Sequence, residues 1–451
     1  MSTTVKILFI ILISLFILGL FIISLKFILE KYYPRSKKNK KQPEVQELSK
    51  EEESKEIVEE EKVEPKEEKQ KEKFDFKEFV TKVRKSPTYK SFKVAVISIL
   101  IGILLGFLIM VITKPSSSLE GLKRLFIGGF RSKRSIGDVL ADAVPIMLTG
   151  LAFAFASKTG LFNIGASGQF IVGAVFALYA ARLLTLPPVI HWLVCVLAGV
   201  LAGAIWGAIP GILKAFFNVS EVIGTIMMNY IGIYLVSIMA VYPPVFDSLY
   251  NRIAINHPTA WTPVIGLDKI FGGSKIDIGI FIAIIVAILI FFILKKTTLG
   301  YQLKAVGYSS TASKAAGINN KKNIITSMAI AGGLAGLGGV FAYLAKSPLF
   351  LSGMSSVPPQ GFEGMSVALL ANSHPIGIIF TSVFISYLKN SAETLQIVGY
   401  NREIASVIIA SIIFMAALSK IISIVLDKGF FKKLFKKKPK EEEQLEVKDN
   451  V

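Results

Sequence analysis

Apolar residues occur along this chain in long runs that short polar or charged stretches divide. About 20 residues of helix, at about 1.5 Å per residue, cross the roughly 30 Å core of a bilayer. Together with an N-terminal run at residues 7–25, the pattern therefore predicts an all-α, polytopic transmembrane helical bundle of about 9–11 hydrophobic segments. The other predicted spans are residues 94–113, 139–157, 169–184, 189–214, 222–241, 278–294, 323–345, 376–390 and 404–426.

Two of the apolar stretches are interrupted. Residues 158–173, K-T-G-L-F-N-I-G-A-S-G-Q-F-I-V-G, carry Asn163, Ser167 and Gln169 among glycines, and residues 352–375 hold a second short apolar segment after Glu363. Bare backbone and polar side chains are costly in hydrocarbon unless protein buries them or they line an aqueous cavity. One broken or re-entrant helix in each half predicts a central substrate site. A tight polar turn at the membrane surface is the alternative for the first stretch.

Glycines mark close helix packing in two other runs. Gly199, Gly203, Gly207 and Gly211 recur every four residues, so they share one helix face against which another helix can approach closely. The glycine run at residues 332–339 lies in a predicted span without a strand-helix unit around it. It therefore predicts packing and not a dinucleotide site.

The charges indicate topology. The net charge is +19, but the lysines and arginines lie mostly beside apolar runs, which is typical of cytoplasmic loops and not of a nucleic-acid surface. Six lysines in residues 295–322 and the basic residues 428–440 place both stretches in the cytoplasm. The loop at residues 114–135 is also basic, although the order of the spans places it on the other side of the membrane from the cytoplasm. We therefore predict that its residues 121–130 form an amphipathic helix at the membrane surface.

The domain organisation follows from these shifts in composition. Residues 1–30 are predicted to form an extra N-terminal membrane anchor, and residues 31–93 a charged, disordered cytoplasmic linker that cannot bury a core. Residues 94–426 form the transmembrane domain, and residues 427–451 a charged cytoplasmic tail.

The chain lacks the motifs of an enzyme. No G-x-x-x-x-G-K-[ST] sequence occurs, Cys195 is the single cysteine, and the three histidines are scattered. We therefore expect no catalytic residues, no bound metal and no cofactor. Acidic residues within the apolar runs are few, whereas a carrier driven by an ion gradient more often has a central carboxylate relay. The motor is then expected in another subunit.

Several motifs carry a resemblance to a known family. These are L-T-G-L-A-F-A-F-A followed by T-G-L-F-N-I-G-A-S-G-Q (148–169), W-G-A-I-P-G-I-L-K-A (206–215), S-E-V-I-G-T-I-M-M-N-Y-I (220–231), T-L-G-Y-Q-L-K-A-V-G with A-A-G-I (298–318) and G-F-E-G-M-S-V-A-L-L-A-N-S-H-P-I-G (361–377). In this order, across residues 94–426, they resemble the permease subunits of nucleoside ABC importers, in the ribose and simple-sugar branch of binding-protein-dependent permeases. Ser167 stands where the family pattern has an acidic residue.

The resemblance implies a multi-pass subunit of the cell membrane that translocates nucleosides and has no ATPase site of its own. Its implied partners are a cytoplasmic ABC ATPase, a second homologous permease in a heterodimer and an extracytoplasmic substrate-binding lipoprotein. The implied coupling residues are Gly300, Lys304, Gly307, Ala316 and Gly317. The implied pathway residues are Asn163, Gln169, Asn229, Phe362, Glu363 and Asn372, with Phe155, Phe162 and Tyr230 as stacking partners.

Three alternatives stay open. The permease could carry ribose or another simple sugar, the chain could be an ion-gradient-driven carrier that needs no ATPase, or it could be a membrane scaffold whose N-terminal arm recruits partners. The residues do not specify which nucleoside or sugar is carried or which permease is the partner.

Overall fold

The computed structural model of the chain describes residues 87–241, 246–247, 252–253, 257–345 and 356–418. The predicted anchor, most of the predicted linker and the predicted tail lie outside these residues. The helices are α1 (Pro87–Thr113), α2 (Ser118–Ile127), α3 (Lys133–Ser157), α4 (Ala166–Leu183), α5 (Ile190–Phe217), α6 (Glu221–Ala240), α7 (Leu267–Ile270), α8 (Gly279–Lys296), α9 (Thr298–Tyr308), α10 (Ser310–Ala315), α11 (Asn320–Tyr343), α12 (Gln360–Leu370), α13 (Pro375–Glu393) and α14 (Arg402–Ala417). Strands β1 (Phe246–Asp247) and β2 (Arg252–Ile253) form a small antiparallel pair after α6.

Seven helices of the described part are long and apolar enough to cross a membrane, namely α1, α3, α4, α5, α6, α8 and α11. The prediction of an all-α, polytopic membrane bundle is therefore confirmed. The second broken segment contains α12, which has 11 residues and is too short to cross by itself. The amphipathic helix predicted at residues 121–130 is α2, which begins and ends three residues earlier and buries Leu125 while Leu119 stays exposed.

Helices α5 and α11 touch through their glycines. A Cβ atom placed on Gly203 would lie 2.8 Å from the Cα of Gly336, and one on Gly207 would lie 2.8 Å from the Cα of Gly332. These distances leave no room for a side chain, so the two backbones are in direct contact. The predicted packing role of both glycine runs is confirmed, and each run is the partner of the other.

Helix α3 is the centre of the bundle. From Ala143 to Ala156 its side chains are almost all buried, and α4, α8, α11, α12 and α13 pack around it. Helices α1 and α14 form a separate cluster, in which a Cβ on Gly102 would meet the Cα of Ile412 at 2.8 Å. The two breaks that the sequence predicts therefore involve helices, α4 and α12, that pack on α3.

The bundle has two distinguishable ends. At the lysine end, which we define by the last turns of α3, α5 and α8 with α9 and α10, Lys214 of α5 forms an ion pair of 3.0 Å with Glu221 of α6. At the loop end, defined by the last turn of α4 and residues 257–278, His191 lies 2.8 Å from the hydroxyl of Thr259. The predicted cytoplasmic stretch at residues 295–322 forms part of the lysine end.

Candidate functional site

Two helices begin inside the bundle, at the two breaks that the sequence predicts. Helix α4 starts at Ala166 and runs to the loop end, whereas α12 starts at Gln360 and runs to the lysine end. The Ser167 hydroxyl donates to the carbonyl of Pro358 at 2.8 Å, so the two N-termini meet. Helix N-termini carry a positive partial charge and unpaired N–H groups, so this junction is polar at a depth where the rest of the bundle is apolar.

Asn163 and Gln169 close the first break through their side chains. Asn163 Nδ2 donates to Gln169 Oε1 at 2.9 Å, and Gln169 Nε2 donates back to Asn163 Oδ1 at 3.2 Å. The same Asn163 oxygen also accepts from the Gly165 N–H at 3.1 Å. Both side chains are about 1% exposed, so their amides serve the backbone turn and do not face an opening.

Asn229 reaches this turn from α6. Its Oδ1 accepts from the Gly168 N–H at 2.7 Å, and its Nδ2 donates to the Ile164 carbonyl at 3.0 Å. The side chain is 2% exposed. The structure thus brings Asn163, Gln169 and Asn229 together, as a buried set whose amide groups satisfy one another and the backbone.

Three aromatic rings beside the breaks are exposed instead. Phe162 precedes Asn163 and is 39% exposed, Tyr230 follows Asn229 and is 52% exposed, and Phe362 lies in the first turn of α12 and is 40% exposed. We call Phe162, Tyr230 and Phe362 the exposed rings. Phe155, also predicted as a stacking partner, is fully buried in the core around α3.

Glu363 forms an ion pair that the sequence reasoning missed. Lys389 of α13 places its ammonium 2.8 Å from both carboxylate oxygens of Glu363, and the Glu363 side chain is 17% exposed. A lysine inside the otherwise apolar run of residues 376–390 was the available signal, because a buried carboxylate needs a counter-charge. Gln360, next to the exposed rings, has a buried Oε1 atom without a hydrogen-bond partner in the described part of the chain.

Asn372 lies apart from the other predicted pathway residues. It is exposed in the turn between α12 and α13, with a left-handed φ of 51° that asparagine tolerates well. Its neighbours Ser373 and His374 line a cavity at the lysine end together with Lys158. The structure therefore separates Asn372 from the break at which Asn163 and Asn229 meet.

The predicted coupling residues divide into two groups. Gly300 and Gly307 lie where α9 packs on the ends of α8 and α3, because a Cβ on Gly300 would be 2.6 Å from the Cα of Leu294 and one on Gly307 would be 3.0 Å from the Gly160 nitrogen. Lys304 lies between them on α9 and lines the same cavity as Lys158. Ala316 and Gly317, after α10, are exposed, and Gly317 turns the chain with a φ of 75°.

The loop end holds a buried carboxyl group. Asp277, directly before α8, is 6% exposed and accepts from the Gly279 N–H at 2.8 Å. Burial raises the pKa of Asp277 to about 7, although the hydrogen bond from Gly279 opposes this shift. Among the described residues no group of three or more His, Cys, Asp or Glu side chains could hold a metal ion.

Comparison with known proteins adds family information. Residues 135–418 match a family described as the permease component of the branched-chain amino acid transport system. The nucleoside ABC transporter permease protein NupB of Lactococcus lactis subsp. cremoris is 38% identical over 352 residues, which cover 74% of this chain and 93% of NupB. The guanosine ABC transporter permease protein NupP of Bacillus subtilis is 36% identical over 342 residues, which cover 74% of this chain and 95% of NupP.

A second permease of Lactococcus lactis is also similar. The nucleoside ABC transporter permease protein NupC is 28% identical over 264 residues, which cover 57% of this chain and 81% of NupC. No solved structure shows a significant match to the chain.

Proposed function

Because this chain belongs to the family of permease components that its residues 135–418 match, we propose that it is the permease subunit of an ATP-binding-cassette importer for nucleosides. The names of NupB and NupP support the substrate class. The structural observation that carries the proposal is the junction at which α4 and the short helix α12 begin, with exposed aromatic rings beside it.

The exposed rings and the buried amides have different roles in this proposal. A nucleoside has a flat base that can stack on Phe162, Tyr230 or Phe362, and sugar hydroxyls that need hydrogen-bond partners. The carboxylate of Glu363, which is 17% exposed in the first turn of α12, is an acceptor for such a hydroxyl. Asn163, Gln169 and Asn229 act indirectly, because they hold the backbone that positions the rings.

The partners follow from the same proposal. A cytoplasmic ABC ATPase contacts α9 and α10 at the lysine end, and an extracytoplasmic binding lipoprotein delivers the nucleoside at the loop end. A second homologous permease covers the exposed rings, so the pathway lies between the two permeases. The similarity to both NupB and NupC, two permeases of one bacterium, supports a heterodimer.

The contacts of α3 suggest how the ATPase acts on the pathway. At the lysine end the turn that follows α3, residues 158–160, meets α9 at Gly307, and farther back along α3 the Thr149 hydroxyl donates to the Gln360 carbonyl at 2.9 Å. A displacement of α9 by the ATPase is therefore passed along α3 to the start of α12. This movement would open the junction of α4 and α12 to one side of the membrane or the other.

Uptake of labelled nucleoside by the reconstituted importer tests the proposal. We expect Tyr230→Ala and Phe362→Ala each to lower ATP-driven uptake about two- to tenfold, since loss of an aromatic stacking contact costs about 0.5–1.5 kcal/mol. Tyr234→Ala is the matched control, because Tyr234 lies one turn farther along α6 and is 69% exposed. If both variants take up nucleoside as fast as Tyr234→Ala does, the exposed rings do not line the pathway.

Competition in the same assay separates the alternatives. Excess unlabelled nucleoside should abolish uptake, whereas excess ribose or glucose should leave it unchanged. A sugar that competes as well as the nucleoside would favour the simple-sugar permease. Uptake that an ion gradient drives without ATP or an ATPase would overturn the importer.

A further inference from the structure

A cavity of about 360 Å³ opens at the lysine end, between four elements of the bundle. The end of α3 contributes Lys158, the end of α8 contributes Lys295, α9 contributes Lys304, and the turn before α13 contributes His374. The cavity is as large as a small ligand site. Its remaining wall is partly aromatic, with the rings of Phe291 and Tyr308.

The three lysines of this cavity have no carboxylate partner among the residues that the structure describes. Other lysines of the bundle do, as Lys275 pairs with Asp142 at 2.6 Å and Lys389 with Glu363 at 2.8 Å. The cavity thus concentrates positive charge that no protein group neutralises. Since Lys158 is half-buried, the repulsion between the lysines is weakly screened by water.

The pKa values of two side chains in the cavity respond to this positive charge. The pKa of Lys158 is lowered, first by burial and then by the nearby charge of Lys304. The pKa of His374 is also lowered, first by burial and then by Lys158 and Lys295. The contribution of the neighbouring lysines to both shifts shows that their charges act on the cavity, and the same charges would attract an anion.

We propose that this cavity binds a phosphate group through the ammonium groups of Lys158, Lys295 and Lys304. A phosphate offers several oxygens to donors that converge from different elements, whereas a carboxylate offers two. One of these donors also contacts the aromatic wall, since Lys295 Nζ lies 5.1 Å from the centre of the Phe291 ring, and that ring lies 5.6 Å from the His374 ring. The headgroup of an anionic lipid and a soluble phosphate compound share this chemistry.

A bound phosphate would connect elements that otherwise repel one another. Lys304 lies on α9, which we propose as the contact with the ATPase, while Lys158 directly follows α3 and Lys295 lies in the last turn of α8. The anion would therefore fasten α9 to the ends of two spanning helices. This inference concerns anion binding alone, so it stands or falls independently of the transported substrate.

Thermal unfolding of the complete, delipidated importer in mild detergent tests the site. One arm compares sodium pyrophosphate with sodium chloride at equal ionic strength, and the other compares phosphatidylglycerol with phosphatidylcholine. We expect an anion to raise Tm by about 3–6 °C at saturation. A rise in the lipid arm alone identifies a headgroup as the source, and a rise with pyrophosphate identifies soluble phosphate.

Paired variants show whether the rise belongs to this cavity. The double variant Lys158→Gln with Lys304→Gln should lose the anion response, whereas Lys314→Gln with Lys322→Gln should keep it. The second pair removes the same charge from exposed lysines at the same end. An equal response in both pairs, or no rise with either anion in the unmodified importer, would overturn the proposal. Loss of ATPase binding without any anion response would also overturn it, and would assign the lysines to the partner.

A gain-of-function variant covers the case in which the double variant does not fold. Ser373 lines the cavity with a left-handed φ of 52°, a conformation that aspartate tolerates. Ser373→Asp supplies a tethered anion, so we expect a higher Tm without added phosphate and a smaller further rise with it. A Tm below that of the unmodified importer, with an undiminished phosphate response, would count against the site.

Discussion

Asn229 shows how a single side chain can make a broken helix possible inside a membrane bundle. It satisfies one N–H group at the start of α4 and one carbonyl before it, both of which would otherwise be buried without a partner. In hydrocarbon no water can replace it. The residue is therefore part of the backbone geometry at the junction, although the sequence alone predicts it as a pathway residue.

Replacing Asn229 should destabilise the fold. Asn229→Ala leaves the Gly168 N–H and the Ile164 carbonyl unpaired, at a cost of about 1–3 kcal/mol for each buried group. We expect a clear loss in Tm for the purified permease. Met227→Ala is the control on the same helix, because Met227 is 51% exposed, and its Tm should stay close to that of the unmodified chain. Equal Tm values for the two variants would show that the Asn229 bonds are dispensable.

Asp277 should make stability depend on pH. Its pKa of about 7 lies above the ordinary value of 3.8, so the folded state favours the protonated form. The stabilisation from this group is complete below pH of about 4 and is lost as the pH rises through 7. Asp277→Asn keeps an acceptor for the Gly279 N–H without the charge, so its Tm advantage should grow between about pH 4 and pH 8 to several degrees.

A series of Tm measurements at different pH values checks this expectation. The gap between Asp277→Asn and the unmodified chain should widen with rising pH and then stay constant above pH of about 8. A gap that is the same at every pH would mean that the carboxyl group does not titrate in this range.

At the scale of elements, the sequence predicts which segments are helices, but it predicts only in part which helices pack against each other. The apolar runs predicted the spans because hydrocarbon selects for length and composition, and the four-residue spacing of Gly203 and Gly207 predicted a close neighbour. The identity of that neighbour depends on the chain path over more than 100 residues, which no local pattern contains. Asn372 and Glu363 are close in sequence and were both predicted to line the pathway. In the structure Asn372 lies at the lysine end, because α12 runs from Glu363 to that end.

The contact between α5 and α11 predicts a sharp difference between glycines. Gly203→Ala puts a methyl group 2.8 Å from the Cα of Gly336, and such overpacking costs about 1–3 kcal/mol. Gly224→Ala should be neutral or stabilising, because its Cβ would meet nothing closer than 3.6 Å and alanine favours the helix. Thermal unfolding of the two variants measures the difference, and equal values would mean that the helices separate easily.

At the scale of the whole molecule, the polar features connect places that are distant in sequence. Ser167 meets Pro358, and Lys158, Lys295 and Lys304 share one cavity. Ser167 and the three lysines were visible in the sequence as polar positions within or beside apolar runs. Their grouping was not predictable, because it depends on how α3, α8, α9 and α12 pack, and the resemblance to known permeases supplied an order of motifs and no distances.

The glycine contact also limits how the bundle can move. Sliding α5 by one helical turn along α11 would shift it by about 5.4 Å. It would place Cys195 where Gly199 now lies or Ala215 where Gly211 now lies, and a Cβ atom at these positions would overlap Val340 or lie 3.0 Å from Met328. The two helices therefore keep a fixed register, and any opening of the pathway has to tilt α5 and α11 together as one rigid block.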